Sequence, residues 1–251
     1  MKNLEPKKIK GTGIQLLLAI MIAMHLLFVL IPFSDKSYAT TDYPLYDLLD
    51  TYFMMAMIFN PIFLAGMVKK VIEIEEQHHM WALLLSFGQS VQRILLNKWK
   101  TLAYKLLLVH VCEWGVMLVL ASSSTHFEIN PDLLMRCGIY FLTSLFINLF
   151  FVAFFILIEM KVKKEYFSTF FSIICSMSGI ICMLTSKTLS YINPFAWYVT
   201  LLNISFVKEG DTFKRLLNDL QIMTFFISLL SLLLLIQVIK NFKNSPSQKE
   251  Y

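Results

Sequence analysis

The chain has 251 residues, of which 57% are hydrophobic and only 16% charged, and its mean hydropathy is +0.64. A soluble domain carries about 45–50% apolar and about 25% charged residues, so no water-soluble fold of this length can hide so much apolar surface. The formal net charge of +5 does not indicate nucleic-acid binding, because the Lys and Arg residues flank apolar runs instead of lining one polar face.

A helix needs about 20 apolar residues to cross the roughly 30 Å hydrocarbon layer. Taken in order, Ile14 to Phe33, Thr51 to Val68, Cys137 to Ile158, Tyr166 to Ser186 and Leu220 to Ile239 meet that length. Leu102 to Ala121 is a sixth span despite Lys105, His110 and Glu113, since a lysine near a helix end can snorkel to the surface. The run from Gly13 is too long for a signal-peptide core and lacks a small-residue cleavage site after Ile31, so the first helix is expected to stay attached. The predicted fold is an all-α integral membrane domain covering 1–251.

Orientation follows from the basic residues. Lys2, Lys7, Lys8, Lys10, Lys69, Lys70, Arg93, Lys98, Lys100, Lys105, Lys161, Lys163, Lys164, Lys240, Lys243 and Lys249 fall on one side, against Lys36, Arg136, Lys187, Lys208, Lys214 and Arg215 on the other. The positive-inside rule places both termini in the cytoplasm. Residues 188–207 are long enough to span, but Ser190, Asn193, Pro194, Asn203 and Ser205 favour an external or re-entrant segment with Pro194 near a helix start. Phe195, Trp197 and Tyr198 suit an interfacial aromatic belt. Cys112, Cys137, Cys175 and Cys182 lie in apolar runs, which predicts core packing and no disulfide framework.

The cytoplasmic segment over about 73–98 reads as an amphipathic helix. Met80, Leu83, Leu84, Phe87, Val91, Ile94 and Leu95 form an apolar stripe at helical spacing, with Gly88 allowing a bend midway. Such a helix can rest on the membrane surface or dock into a groove on a partner.

The sequence Glu75-Glu76, then Trp81-Ala82-Leu83-Leu84, Gly88, Arg93 and Lys98 resembles the coupling region of type-2 ABC transporter permeases. The short six-span layout and the stretch WALLLSFGQSVQRILLNKWK are most similar to lantibiotic-immunity permease subunits, and Asn193 to Trp197 is similar to that family's Pro-Trp region. Phe87-Gly88 stands where relatives often have Leu-Pro. The resemblance implies a permease subunit in a bacterial plasma membrane that helps expel an amphipathic antimicrobial peptide. Its implied partners are a second, related permease, membrane lipids and a dimer of a separate ATPase holding ATP and Mg. Glu75, Glu76, Trp81, Leu83, Leu84, Gly88 and Arg93 would engage that ATPase. This chain has no G-x-x-x-x-G-K-[ST] phosphate loop, so it is expected to bind no cofactor and to be no enzyme. Export of another cargo, or a scaffold or sensor role with a different cytoplasmic partner, are the alternatives.

Three further features bear on function. His110 and Glu113 share a helix face inside a span and should turn toward the bundle, as interhelical contacts or as a substrate contact or proton relay. One His and one Glu are too few ligands for a metal site, and His25 reads as a packed or hydrogen-bonded residue. Asp42, Asp47 and Glu128 in the external loops could attract a cationic peptide, or be solvated surface. A Glu-Glu-x-x-x-Arg motif of intramembrane CAAX-type proteases would begin at Glu75, but Met80 occupies its Arg position.

Overall fold

The computed structural model describes residues 13–35, 38, 42–77, 80–124, 127, 131–162, 166–209 and 212–242. Within them lie helices α1 (Ile14–Phe33), α2 (Pro44–Gln77), α3 (Met80–Ser86), α4 (Val91–Ala121), α5 (Pro131–Lys161), α6 (Phe167–Thr185), α7 (Lys187–Ile192) and α8 (Ile222–Lys240). A 3-10 helix (Pro194–Leu201) and an antiparallel hairpin, β1 (Ile204–Glu209) with β2 (Thr212–Leu217), separate α7 from α8.

Six of these helices, α1, α2, α4, α5, α6 and α8, are long and apolar enough to cross a membrane, and the chain is a multi-pass helical membrane protein. Three outrun their expected limits. α2 has 34 residues and α4 and α5 have 31 each, or roughly 46–51 Å at 1.5 Å per residue. That exceeds the hydrocarbon layer, so each overhangs it.

α2 sits at the centre, packed on α1, α5, α6 and the 3-10 helix, while α8 lies along α5. The face of α6 toward the bundle is made of Ser168, Ser172, Ser176 and Gly179. In lipid there is no hydrophobic drive between helices, and small residues permit the close backbone approach that packing then rewards. The approach is tightest at Gly179, where an added Cβ would stand 2.5 Å from the Phe195 carbonyl oxygen.

The amphipathic helix expected over 73–98 is divided. α2 runs on to Gln77, α3 has only seven residues, and α4 starts at Val91. Gly88 takes φ +74°, its N–H bonds to Leu85 O at 2.9 Å, and Gln89 N–H reaches Leu84 O at 3.1 Å. This is a Schellman C-cap, which needs a left-handed residue and so terminates the helix where a bend was expected. Ser90 then caps α4 by accepting from the Arg93 N–H. The apolar stripe is split accordingly: Val91, Ile94 and Leu95 are buried in α4, whereas Leu83 and Phe87 point outward.

Residues 188–207 do not span. Asn193 Oδ1 accepts from the Phe195 N–H at 3.1 Å and Pro194 opens the 3-10 helix. Phe195, Trp197 and Tyr198 form no aromatic belt but are buried inside the bundle. Phe195 stacks on Phe151 with centroids 5.1 Å apart, and Trp197 meets Phe150 at 5.0 Å while its indole N–H donates to Tyr191 O. Asn193 and Trp197 satisfy local backbone groups, which lets irregular chain enter a protein interior at low cost. All four cysteines are free, but Cys112 is exposed on α4 rather than packed in the core.

Candidate functional site

A buried polar cluster lies between α1, α2, α4 and α5. Glu113 Oε1 is 2.8 Å from His25 Nδ1, and the Tyr52 hydroxyl donates to Glu113 Oε2 at 3.1 Å. Tyr52 also stands 3.3 Å from His110 Nδ1, and His110 Nε2 lies 2.9 Å from Ser144 Oγ and 3.1 Å from Phe141 O. His25, Tyr52, His110, Glu113 and Ser144 are all fully buried.

The threading of the helices explains the meeting. His25, Tyr52 and Glu113 each sit about eight residues, or roughly 12 Å of helix rise, from the end of their helix away from the Lys69–Lys70 side. Alternating helix directions bring those three levels together. His110 and Glu113 both lie in the interior, and His25 is hydrogen-bonded, with Glu113 as its partner.

The Tyr52 hydroxyl stands between the Glu113 carboxyl and the His110 ring, and the Ser144 hydroxyl, which also donates to Tyr140 O at 2.7 Å, closes the other side of that ring. His25 Nε2 has no hydrogen-bond partner among the described residues. No group of three or more metal-ligating side chains occurs among the described residues.

One layer deeper, Asn60 Nδ2 donates to Asn148 Oδ1 at 2.9 Å and to the Tyr198 hydroxyl at 3.2 Å, and Tyr198 donates to Asn148 Oδ1 at 2.8 Å. Asn60 and Asn148 stand midway along α2 and α5, so the 3-10 helix reaches the middle of the bundle. Neither asparagine was singled out from the sequence. Their signal was available, because an uncapped Asn in the middle of a span needs an interhelical partner.

The residues expected to face an ATPase divide by environment. Glu75 is 0% and Lys98 1% exposed, their side chains are 3.2 Å apart, and Lys98 Nζ also donates to Val71 O at 2.7 Å. Glu75 thus ties α2 to α4. Trp81 is buried and Leu84 half-buried, while Glu76 and Arg93 are exposed. Leu83 at 46% and Phe87 at 71% are the apolar side chains that the α3 tip presents outward.

The external acids divide as well. Asp47 pairs with Arg215 of β2. Asp42 is exposed and lines a cleft with Asp132 and Arg136, and Glu128 lies outside the described residues. Asp50 accepts from the Asn203 and Ile204 backbone N–H groups at 2.7 and 2.8 Å, fastening the hairpin to α2.

No known family profile matches the chain, and no curated protein is significantly similar to it.

Proposed function

We propose that this chain is the permease subunit of a type-2 ABC exporter in a bacterial plasma membrane, removing an amphipathic antimicrobial peptide for self-protection. A separate ATPase dimer docks on the tip formed by α3 and the Gly88 turn, and a second permease completes the pathway.

The observation that carries this reading is the shape of the tip. α2 and α4 both overhang the hydrocarbon layer on the side of Lys69, Lys70 and Arg93, and α3 joins them. Trp81 roots α3 in the core, while Leu83 and Phe87 stand outward. An exposed Phe at the end of a rooted helical hairpin is a hydrophobic anchor suited to a groove on a partner. Because the Glu75–Lys98 pair clamps α2 to α4 below the tip, a push on α3 moves both helices together, which is what transmission from a motor requires.

The test is co-purification of the chain with its nucleotide-hydrolysing partner, followed by ATP turnover of wild type and a Leu83→Ala/Phe87→Ala double variant. Turnover should fall with thermal stability unchanged. Recovery of no ATPase with the wild-type chain would reject the transporter reading. Protection of a sensitive host against lantibiotics then identifies the cargo, and its absence redirects the reading to another exported molecule.

A further inference from the structure

A second site lies where the end of α8 meets the start of α4. Arg93, Lys100 and Lys240, with Ser90, Gln92 and Asn97, line a cleft of about 400 Å³ with no carboxylate among its described lining residues. The three cations are exposed and none is ion-paired to a described residue. The cleft is held in shape by Gln92 Nε2, which donates to Phe242 O at 2.6 Å and straps the end of α8 to the first turn of α4.

Its depth follows from helix length. The 19 residues of α8 rise about 28 Å, close to the hydrocarbon thickness, so Lys240 in the last turn reaches the headgroup layer. Lys100 lies further along α4 and can extend its ammonium toward the same layer. Below the cations the surface turns apolar: Tyr104, one turn beyond Lys100 on the same face, is exposed, and so are Leu233, Leu234 and Val238 on α8. A positive cleft at headgroup depth above a greasy wall is complementary to an amphiphile with an anionic head.

We propose that this cleft binds the phosphate-bearing headgroup of an anionic phospholipid, whose acyl chains lie along α4 and α8. The site is separate from the α3 tip and does not depend on the transport reading.

The test uses the full-length chain in nanodiscs of phosphatidylcholine containing a minor fraction of phosphatidylglycerol, extracted into detergent and examined by native mass spectrometry for retained lipid. Wild type should retain phosphatidylglycerol in preference to phosphatidylcholine. Lys240→Gln and Lys100→Gln should each lower that retention about fivefold, the equivalent of about 1 kcal/mol per basic residue at an anionic surface. Lys240→Arg should preserve it, and Lys208→Gln, in the hairpin, should leave it unchanged. Equal retention of both lipids, or equal loss with Lys208→Gln, overturns the proposal. Inorganic phosphate that binds lipid-free protein in detergent, and displaces no lipid, would make the cleft a site for a soluble anion and also overturn it. Loss of an ATPase partner on Lys240→Gln with no change in lipid retention would assign the cleft to a protein interface instead.

Discussion

Glu75→Leu removes the carboxylate from a pair whose side chains are 0% and 1% exposed, and in which the Lys98 ammonium also donates to the Val71 carbonyl 2.7 Å away. Breaking a buried ion pair by deleting one partner costs about 3–5 kcal/mol. Lys98→Met takes the ammonium from the carboxylate and should cost a similar amount. The double variant Glu75→Leu/Lys98→Met removes both charges and refills the volume, and such replacements are often neutral or better. The coupling energy of the cycle should therefore be at least about 3 kcal/mol, well above the roughly 0.5 kcal/mol within which independent sites add. Reversible unfolding by SDS in mixed micelles, followed by tryptophan fluorescence, measures it, because Trp99 lies one residue from Lys98 and donates to Leu149 O across to α5. Single variants costing under about 1 kcal/mol, or a double variant costing the sum of its singles, would refute the description of Glu75 as a buried clamp. They would return it to the surface set expected from the sequence.

The buried cluster should show a smaller coupling between His25→Ala and Glu113→Ala, about 0.6–1.7 kcal/mol as for other interhelical hydrogen bonds in membranes; strict additivity in the same unfolding assay would deny their contact. Gly179→Ala should destabilise the bundle by about 1–3 kcal/mol, because its Cβ would meet the Phe195 backbone. Gly115→Ala, which faces open space, should cost nothing or stabilise, and equal effects at the two sites would contradict the packing described for α6. Gly88→Ala forces a left-handed backbone on a residue with a Cβ and should cost about 1–2 kcal/mol, read as a lower unfolding midpoint; an unchanged midpoint would show that the turn has another conformation.

Much of the architecture was legible because the bilayer imposes a length on each helix. Ile14 to Phe33 is an apolar run whose limits coincide with α1, and the expected limits of α6 and α8 fall within two residues of those observed. α2, α4 and α5 run beyond their expected spans for one reason. Apolar length registers only the part of a helix inside the hydrocarbon, whereas residues 44–50 and 91–101 continue the same helices with mixed polarity and are held by tertiary contacts. Gly88 signals a bend in the sequence, but a glycine bends a helix or ends it depending on φ, and composition does not specify φ. The hairpin was missed because its strands are only six residues each and Asp50, far away in sequence, secures one end of it.

What the sequence determined by itself was the solvent: an apolar fraction this large, cut into spans of membrane length, leaves helices as the way to satisfy the backbone in lipid. His110 and Glu113 could be assigned to the interior on the same ground, since an exposed charge in hydrocarbon is too costly. Tertiary structure alone decided their partners. His25, Tyr52 and Glu113 come from three helices and meet because antiparallel threading brings them to one depth. Glu75 looks like one of two adjacent surface acids until α4 is packed beside α2, and only then does Lys98 place it in the interior. The chemistry of each residue is written locally, but whether it faces lipid, a partner helix or another protein depends on which helices become neighbours.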